Sequence, residues 1–222
     1  MRLTLLRLPL AFILILSLTA CAALAAQPTP TAVVQNTESP TESPTSLPPS
    51  PTESGQTLPA APECSAPASV TPPMTEGPFF KPNSPERASL LEPGITGTTL
   101  KLTGYVLTQD CQPVAGALVD FWQADREGQY DNNGYKLRGH QFTDEAGRYQ
   151  LETIMPGLYP GRTEHIHVKV QAPNGPILTT QLFFPNEARN AEDSLFRPDL
   201  LLTMHDSGTA KAAAFDFVIR TV

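Results

Sequence analysis

From Thr99 onward, apolar and polar residues alternate in short runs closed by turn residues. Thr99-Leu-Lys-Leu-Thr-Gly-Tyr-Val-Leu107 carries this alternation, the period of a half-buried strand. Gln109-Asp-Cys-Gln-Pro113 then turns the chain. Ala117–Gln123 reads as a second strand, Thr143-Asp-Glu-Ala-Gly147 as a turn, and Arg148–Ile154 as a third strand ended by Pro156-Gly157. His165–Val170, Leu178–Phe184 and Ala214–Val222 complete the set. Short strands at close, turn-marked spacing predict an all-β fold, an antiparallel sandwich or barrel. Only Asn186–Leu195, with its Ala and Glu content, reads as helical. The chain has no Gly-rich phosphate loop and no nucleophile elbow.

The first 62 residues show a different pattern. Arg2 and Arg7 flank a positive start, and Leu8–Leu18 form an apolar core too short for a membrane span, as in a targeting segment. Leu18-Thr19-Ala20-Cys21 resembles the lipobox of bacterial lipoproteins, which implies lipidation of Cys21 and a membrane anchor. Ordinary signal cleavage after an Ala-x-Ala near Ala26 is the alternative, and both routes lead out of the cytoplasm. Residues 22–62 read as a linker: from Gln27 they are dominated by Pro, Thr, Ser, Ala and Glu with no aromatic residue, and Thr37-Glu-Ser-Pro40 repeats as Thr41-Glu-Ser-Pro44. Such a segment buries too little apolar surface to offset its ordering entropy, and it is predicted to be disordered. Its reach as extended chain is on the order of 100 Å. The folded domain is expected over 63–222.

Charge and cysteine narrow the function classes. A formal net charge of −7 over 222 residues argues against a sequence-independent nucleic-acid binder, which needs a basic face. Besides Cys21, only Cys64 and Cys111 remain, and outside the cytoplasm such a pair suggests a disulfide.

The candidate chemistry centres on His165-Ile-His167. Side chains two apart on a strand share a face, so the two imidazoles project together and can hold one metal ion. A half-exposed strand with its histidines in water is the competing reading. Tyr159 lies just upstream in Pro-Gly-Leu-Tyr-Pro, and Tyr130 ends the turn Asp125-Arg-Glu-Gly-Gln-Tyr130. Taken singly, a tyrosine is more often a packed amphipathic residue than a ligand. Two phenolates with two imidazoles form a hard oxygen and nitrogen set matched to Fe(III), whereas zinc favours thiolate, imidazole or carboxylate. Tyr105, Tyr135 and Tyr149 read as packing residues, and His140 and His205 as non-ligands.

From Thr75 to about Pro185 the chain resembles an intradiol ring-cleavage dioxygenase. The stretches that carry the resemblance are Thr-Glu-Gly-Pro-Phe-Phe (75–80), Ala-Leu-Val-Asp-Phe-Trp-Gln-Ala-Asp (117–125), Gly-Gln-Tyr (128–130) and Leu-Arg-Gly (137–139). They continue in Thr-Asp-Glu-Ala-Gly-Arg-Tyr (143–149), Thr-Ile-Met-Pro-Gly-Leu-Tyr-Pro (153–160), Arg-Thr-Glu-His-Ile-His-Val-Lys-Val (162–170) and Thr-Gln-Leu-Phe-Phe (180–184). The resemblance implies a β-sandwich holding one non-haem Fe(III) by Tyr130, Tyr159, His165 and His167. It implies a catecholic substrate that displaces Tyr159 from the metal, and O₂ as the second substrate. The product would be a cis,cis-muconate-type dicarboxylate. Arg162 and Gln181 match catalytic positions of the family, and Pro78, Phe79 and Trp122 match positions that shape its substrate pocket.

Three features depart from the family pattern. The spacing from Tyr159 to His165 is short, and Thr163-Glu164 stands where many members have Pro-Ala, with Glu164 expected to face away from the metal. The stalk takes the place of a helical dimerisation segment, so no oligomeric state is read. A second reading remains open: the run from Gly104 to Tyr159 also resembles transthyretin-like or carboxypeptidase-regulatory sandwiches, which are non-catalytic binding modules. A third keeps the histidines with zinc or copper, in a hydrolase or oxidase.

Overall fold

The computed structural model describes residues 64–207 and 210–221. The signal segment with Cys21 and the linker of 22–62 lie outside these residues. Nine strands are found among the described residues: β1 (Thr99–Thr108), β2 (Leu118–Trp122), β3 (Arg138–Phe142), β4 (Arg148–Ile154), β5 (His165–Gln171), β6 (Ile177–Phe183), β7 (Thr203–Ser207), β8 (Ala210–Ala214) and β9 (Phe217–Ile219). One sheet runs β4-β1-β8-β7, with β9 pairing the second half of β1; the other runs β3-β2-β5-β6. The predicted sandwich is the observed architecture.

Alternation decides which side chains meet between the sheets. Ile166, Val168 and Val170 of β5 point inward and are fully buried with Val119 and Phe121 of β2 and Leu100, Leu102 and Val106 of β1. The intervening residues of β2 and β5 face outward, away from this apolar layer.

Two sequence expectations require correction, and β3 and β7 were not anticipated. Arg138-Gly-His-Gln-Phe142 has little apolar alternation, yet it forms β3 by pairing with β2. The strand expected over Ala214–Val222 is instead two strands, β8 and β9, which break at Phe215-Asp216 and pair successive parts of β1. Ala210-Lys-Ala-Ala-Ala214 has helix-favouring composition, but hydrogen bonding to β1 and β7 on either side overrides that propensity. The helix expected over Asn186–Leu195 reduces to a single 3₁₀ turn, Ala188–Ala191, with no buried residue. A segment so short cannot recover the cost of helix nucleation without an apolar face to bury.

Ahead of β1, the chain forms a strap over the body. Cys64 is disulfide-bonded to Cys111, with their Cα atoms 5.6 Å apart. Ala68 N–H donates to Gln109 O, and Thr71 exchanges two hydrogen bonds with Val218 of β9. Met74 N–H donates to Thr179 O of β6, and Thr180 Oγ1–H donates to Pro72 O. Residues 77–80 thereby arrive on the outer face of the second sheet.

Candidate metal centre

The strand registers place Arg138, Trp122, His167 and Gln181 side by side in one row across the second sheet. None of the four is more than 3% exposed. His165 lies on the same face of β5, 4% exposed, opposite Phe183 of β6. The two histidines thus share a face as predicted, and they are buried beneath the strap and its neighbouring loops instead of facing water.

Three donor atoms converge. His165 Nε2 is 3.1 Å from His167 Nε2 and 3.3 Å from Tyr130 Oη. His165 Nδ1 is 2.6 Å from Thr163 O; a carbonyl only accepts, so Nδ1 carries the proton and Nε2 presents a lone pair. Burial pushes the His165 pKa down to about 4, assisted by the Arg162 charge, and holds His167 well below the ordinary range with His165 and Arg162 as further causes. Both rings are therefore neutral at neutral pH, the form that ligates a metal. Burial raises the Tyr130 phenol above its ordinary value, so its phenolate needs a local cation. Two neutral imidazoles and a desolvated phenol directed at one point fit a metal ion, and His167 Nδ1 is a buried polar atom with no partner among the described residues.

Tyr130 and Tyr159 come from separate loops pressed together. Asp125 Oδ1 accepts the Glu127 and Gln129 amides and shapes the turn before Tyr130. Gly128, at φ +77°, brings that turn against the neighbouring loop; a Cβ there would stand 2.1 Å from Leu158 O. The Tyr130 and Tyr159 rings consequently meet edge to face at 5.8 Å. Phe79 stacks on Tyr130 at 4.4 Å and meets Tyr159 edge-on at 5.2 Å, while Pro78 beside it is exposed. Phe79 thus lies against both tyrosines, with Pro78 beside it at the surface.

Trp122 lies behind His167. It is 1% exposed and lies flat on His167, with Phe80 edge-on behind it. A side chain enclosed on this scale supports the His167 ring. Gly77 backs the same imidazole, since a Cβ there would come 3.3 Å from His167 Cε1.

Gln181 is engaged at both ends of its amide. Its Oε1 accepts from Arg162 Nη2 at 2.6 Å and its Nε2 donates to Thr75 O at 2.8 Å. Fully buried and committed at both ends, it orients Arg162 and ties the strap to β6. Arg162 Nε donates to Asp193, 2.9 Å from Oδ2. Its Nη1 has no hydrogen-bond partner among the described residues.

Two residues of this site escaped the sequence reading. Arg138 donates from Nη1 to Phe79 O at 2.6 Å and from Nε and Nη2 to Asp131 O, joining the strap to the loop that follows Tyr130. It sat within the recognised Leu-Arg-Gly stretch, but nothing in sequence assigns it a partner. Asp193 fell in the segment read as helix. Glu164 is half-buried in the bend just before β5, and burial with Glu187 nearby raises its pKa to about 7. A cavity of about 260 Å³ is lined by Gln123, Asp125, Ile154 and Tyr130, and it reaches the donor cluster only at Tyr130.

The dioxygenase family profile matches residues 75–221. Hydroxyquinol 1,2-dioxygenase of Rhizobium sp. (strain MTP-10005) is 32% identical over 147 residues, 54% of this chain and 50% of that protein. Chlorocatechol 1,2-dioxygenase of Pseudomonas sp. (strain P51) is 28% identical over 174 residues, covering 66% and 69% of the two chains. The chain thus spans about half the length of the first relative and about two thirds of the second. Among solved structures, the dioxygenase domain of a dioxygenase carbohydrate-binding protein fusion from Streptomyces sp. SirexAA-E is 52% identical, with a TM-score of 0.68 over 69% of this chain and 100% of that one. 3-Chlorocatechol 1,2-dioxygenase of Rhodococcus opacus 1CP is 30% identical, with a TM-score of 0.62 over 67% and 72%. The profile covers the end of the strap from Thr75, both sheets and every donor of the cluster, and the chain belongs to the intradiol ring-cleavage dioxygenase family.

Proposed function

We propose that the domain binds one non-haem Fe(III) through Tyr130, Tyr159, His165 and His167 and uses O₂ to cleave a catechol-type ring between its two hydroxylated carbons. Both oxygen atoms enter the product, a cis,cis-muconate-type dicarboxylate, and no external reductant is consumed. The observation that carries this reading is that His165 Nε2 lies within 3.3 Å of both His167 Nε2 and Tyr130 Oη, in a family generally dependent on non-haem iron.

When bound, Fe(III) supplies the Lewis acidity that ionises coordinated hydroxyls and makes a catecholate reactive toward O₂. The chain's own residues do the rest. His165 and His167 stay neutral through burial and keep their lone pairs available. Phe79 and Tyr159 form aromatic walls suited to a flat ring. Arg162, held through Nε and Nη2, keeps Nη1 for negative charge that develops on the ring.

The test is the visible spectrum and iron content of the purified protein. Tyrosinate on Fe(III) gives a red-brown charge-transfer band that should shift on anaerobic addition of a catechol, and Tyr159→Phe should remove part of it. A protein that stays colourless after loading with iron would refute the assignment.

Cys21 as a lipid anchor, with residues 22–62 as a stalk, would place this chemistry outside the cytoplasm. The residues around Cys21 and the Cys64–Cys111 disulfide support that location, because disulfides persist in oxidising compartments. Cys21→Ala should abolish labelling by a radioactive fatty acid and release the protein from the membrane fraction; unchanged labelling and retention would reject the anchor.

A further inference from the structure

Asp193 lies just past the 3₁₀ turn Ala188–Ala191, and its side chain is 2% exposed. Its carboxylate accepts from every direction. Oδ2 takes Arg162 Nε and Thr163 N–H, each at 2.9 Å, and Oδ1 takes Leu195 N–H at 2.9 Å and Arg162 Nε at 3.2 Å. Burial alone would raise its pKa, but the Thr163 and Leu195 amides and the Arg162 guanidinium together hold it below the ordinary carboxylate value. The carboxylate is ionised and fully used.

Its two main partners lead to different parts of the site. Arg162 is gripped at Nε by Asp193 and at Nη2 by Gln181, so the plane of the guanidinium is set at two points. Thr163 is fully buried; its N–H goes to Asp193, its Oγ1–H to Asn190 Oδ1, and its carbonyl accepts the Nδ1 proton of His165. Asn190 is itself tied to Phe184 O. One carboxylate therefore holds both the cation beside the donor cluster and the peptide that sets the tautomer of one donor.

We propose that Asp193 is a positioning residue with this double action, orienting Arg162 directly and His165 through the Thr163 peptide. The activity arm of the test rests on the proposed function. A side chain that aims a cationic fork acts through it, and small misplacements of such a group cost on the order of 10²-fold in rate. Loss of an outer partner of a metal-binding histidine costs roughly 10- to 100-fold in metal affinity.

The substitutions are Asp193→Asn, which retains an oxygen to accept the Thr163 amide but loses the ion pair, and Asp193→Ala, which loses both. Asp193→Asn is expected to keep iron affinity, measured by chelator competition, within about 3-fold of the unsubstituted protein while kcat/KM falls about 10²-fold. In an Arg162→Gln background the same change should cost less than about 3-fold, because the group it acts through is gone. Asp193→Ala should in addition weaken iron binding at least ~10-fold. A third measurement needs neither iron nor substrate: ¹⁵N NMR of the metal-free protein should show His165 as a fixed Nδ1–H tautomer, lost in Asp193→Ala. If Asp193→Ala does not fold, Asp193→Asn and its double-mutant cycle carry the test. Unchanged kcat/KM in Asp193→Asn, a loss of equal size in the Arg162→Gln background, or an Nε2–H tautomer at His165 overturns the proposal. Absence of iron binding and ring cleavage in the unsubstituted protein would instead refute the proposed function and leave the NMR arm standing.

Discussion

Trp122 and His167 face each other across β2 and β5 with ring planes 8° apart and centroids 4.9 Å apart. The indole blocks rotation of the imidazole about its own axis, and Phe80 backs the indole edge-on at 5.0 Å. Trp122→Leu leaves that flank of His167 open. Stability is expected to fall by about 3 kcal/mol, as for large-to-small changes of a buried aromatic, and iron to be held roughly 10-fold less tightly. Trp122→Phe keeps a flat face and should recover most of the iron affinity. Urea unfolding and chelator competition read the two effects, and an iron affinity unchanged in Trp122→Leu would remove the stack from the account of the site.

Arg138 joins two pieces of chain that each carry a residue of the site. Its guanidinium reaches Phe79 O and Asp131 O together, a task that a single ammonium cannot match. Arg138→Lys and Arg138→Met are both expected to destabilise the domain by about 3 kcal/mol, since each leaves buried carbonyls short of donors. Loosening of Phe79 from Tyr130 should also raise KM for the catechol more than it lowers kcat. A lysine variant with the parent's urea midpoint would show that the charge matters and the fork does not.

Asp120 titrates against a mixed environment one row away from the metal row. Burial pushes its pKa above 3.8, opposed by the Ser84 hydroxyl at 2.8 Å and by His140, Lys169 and Arg138; Lys169 is in turn paired with Glu76. The folded protein holds this proton more tightly than the unfolded chain. The group's contribution to stability is therefore greatest below the unfolded value and declines as pH rises through the raised folded value. Asp120→Asn retains an acceptor for Ser84 and removes the titration. Relative to the parent, the variant should gain stability as pH rises above the ordinary carboxylate value and through the raised folded one, read as the difference in urea midpoints; a difference that shrinks with pH would reverse the assigned sign.

The Cys64–Cys111 disulfide closes a loop with a sequence separation of 47. Chain entropy alone assigns such a closure about 4 kcal/mol. Cys64→Ser, or reduction in mild thiol, is expected to lower the unfolding midpoint and increase proteolysis of the strap, which retains its bonds to Gln109, Val218 and Thr179. Iron affinity should fall less than stability, because Gln181 still ties Thr75 beside the site. A midpoint insensitive to thiol would show that these later bonds suffice.

The alternation from Thr99 to Phe183 determined the sandwich, because strands buried on one face must repeat every second residue. His165-Ile-His167 followed from the same period, which needs no knowledge of neighbouring strands. Tyr130, Tyr159 and Arg162 were legible through the resemblance of their surrounding stretches. Elsewhere local pattern pointed away from the fold: Arg138–Phe142 lacks a strand's apolar face, and the Ala-rich run at 210–214 favours helix by composition. Both became strands because partner strands met their hydrogen bonds, an arrangement set by residues far away in sequence.

What only the tertiary structure decided was the partner of each polar group. Register places Trp122 and Gln181 on either side of His167, where one stacks on the imidazole and the other holds Arg162. Arg138 and Asp193 carried no periodic signal. Their roles rest on contacts with residues 59 and 31 positions away, Phe79 and Arg162, and such contacts exist only once the strap, the loops and the sheet have come together.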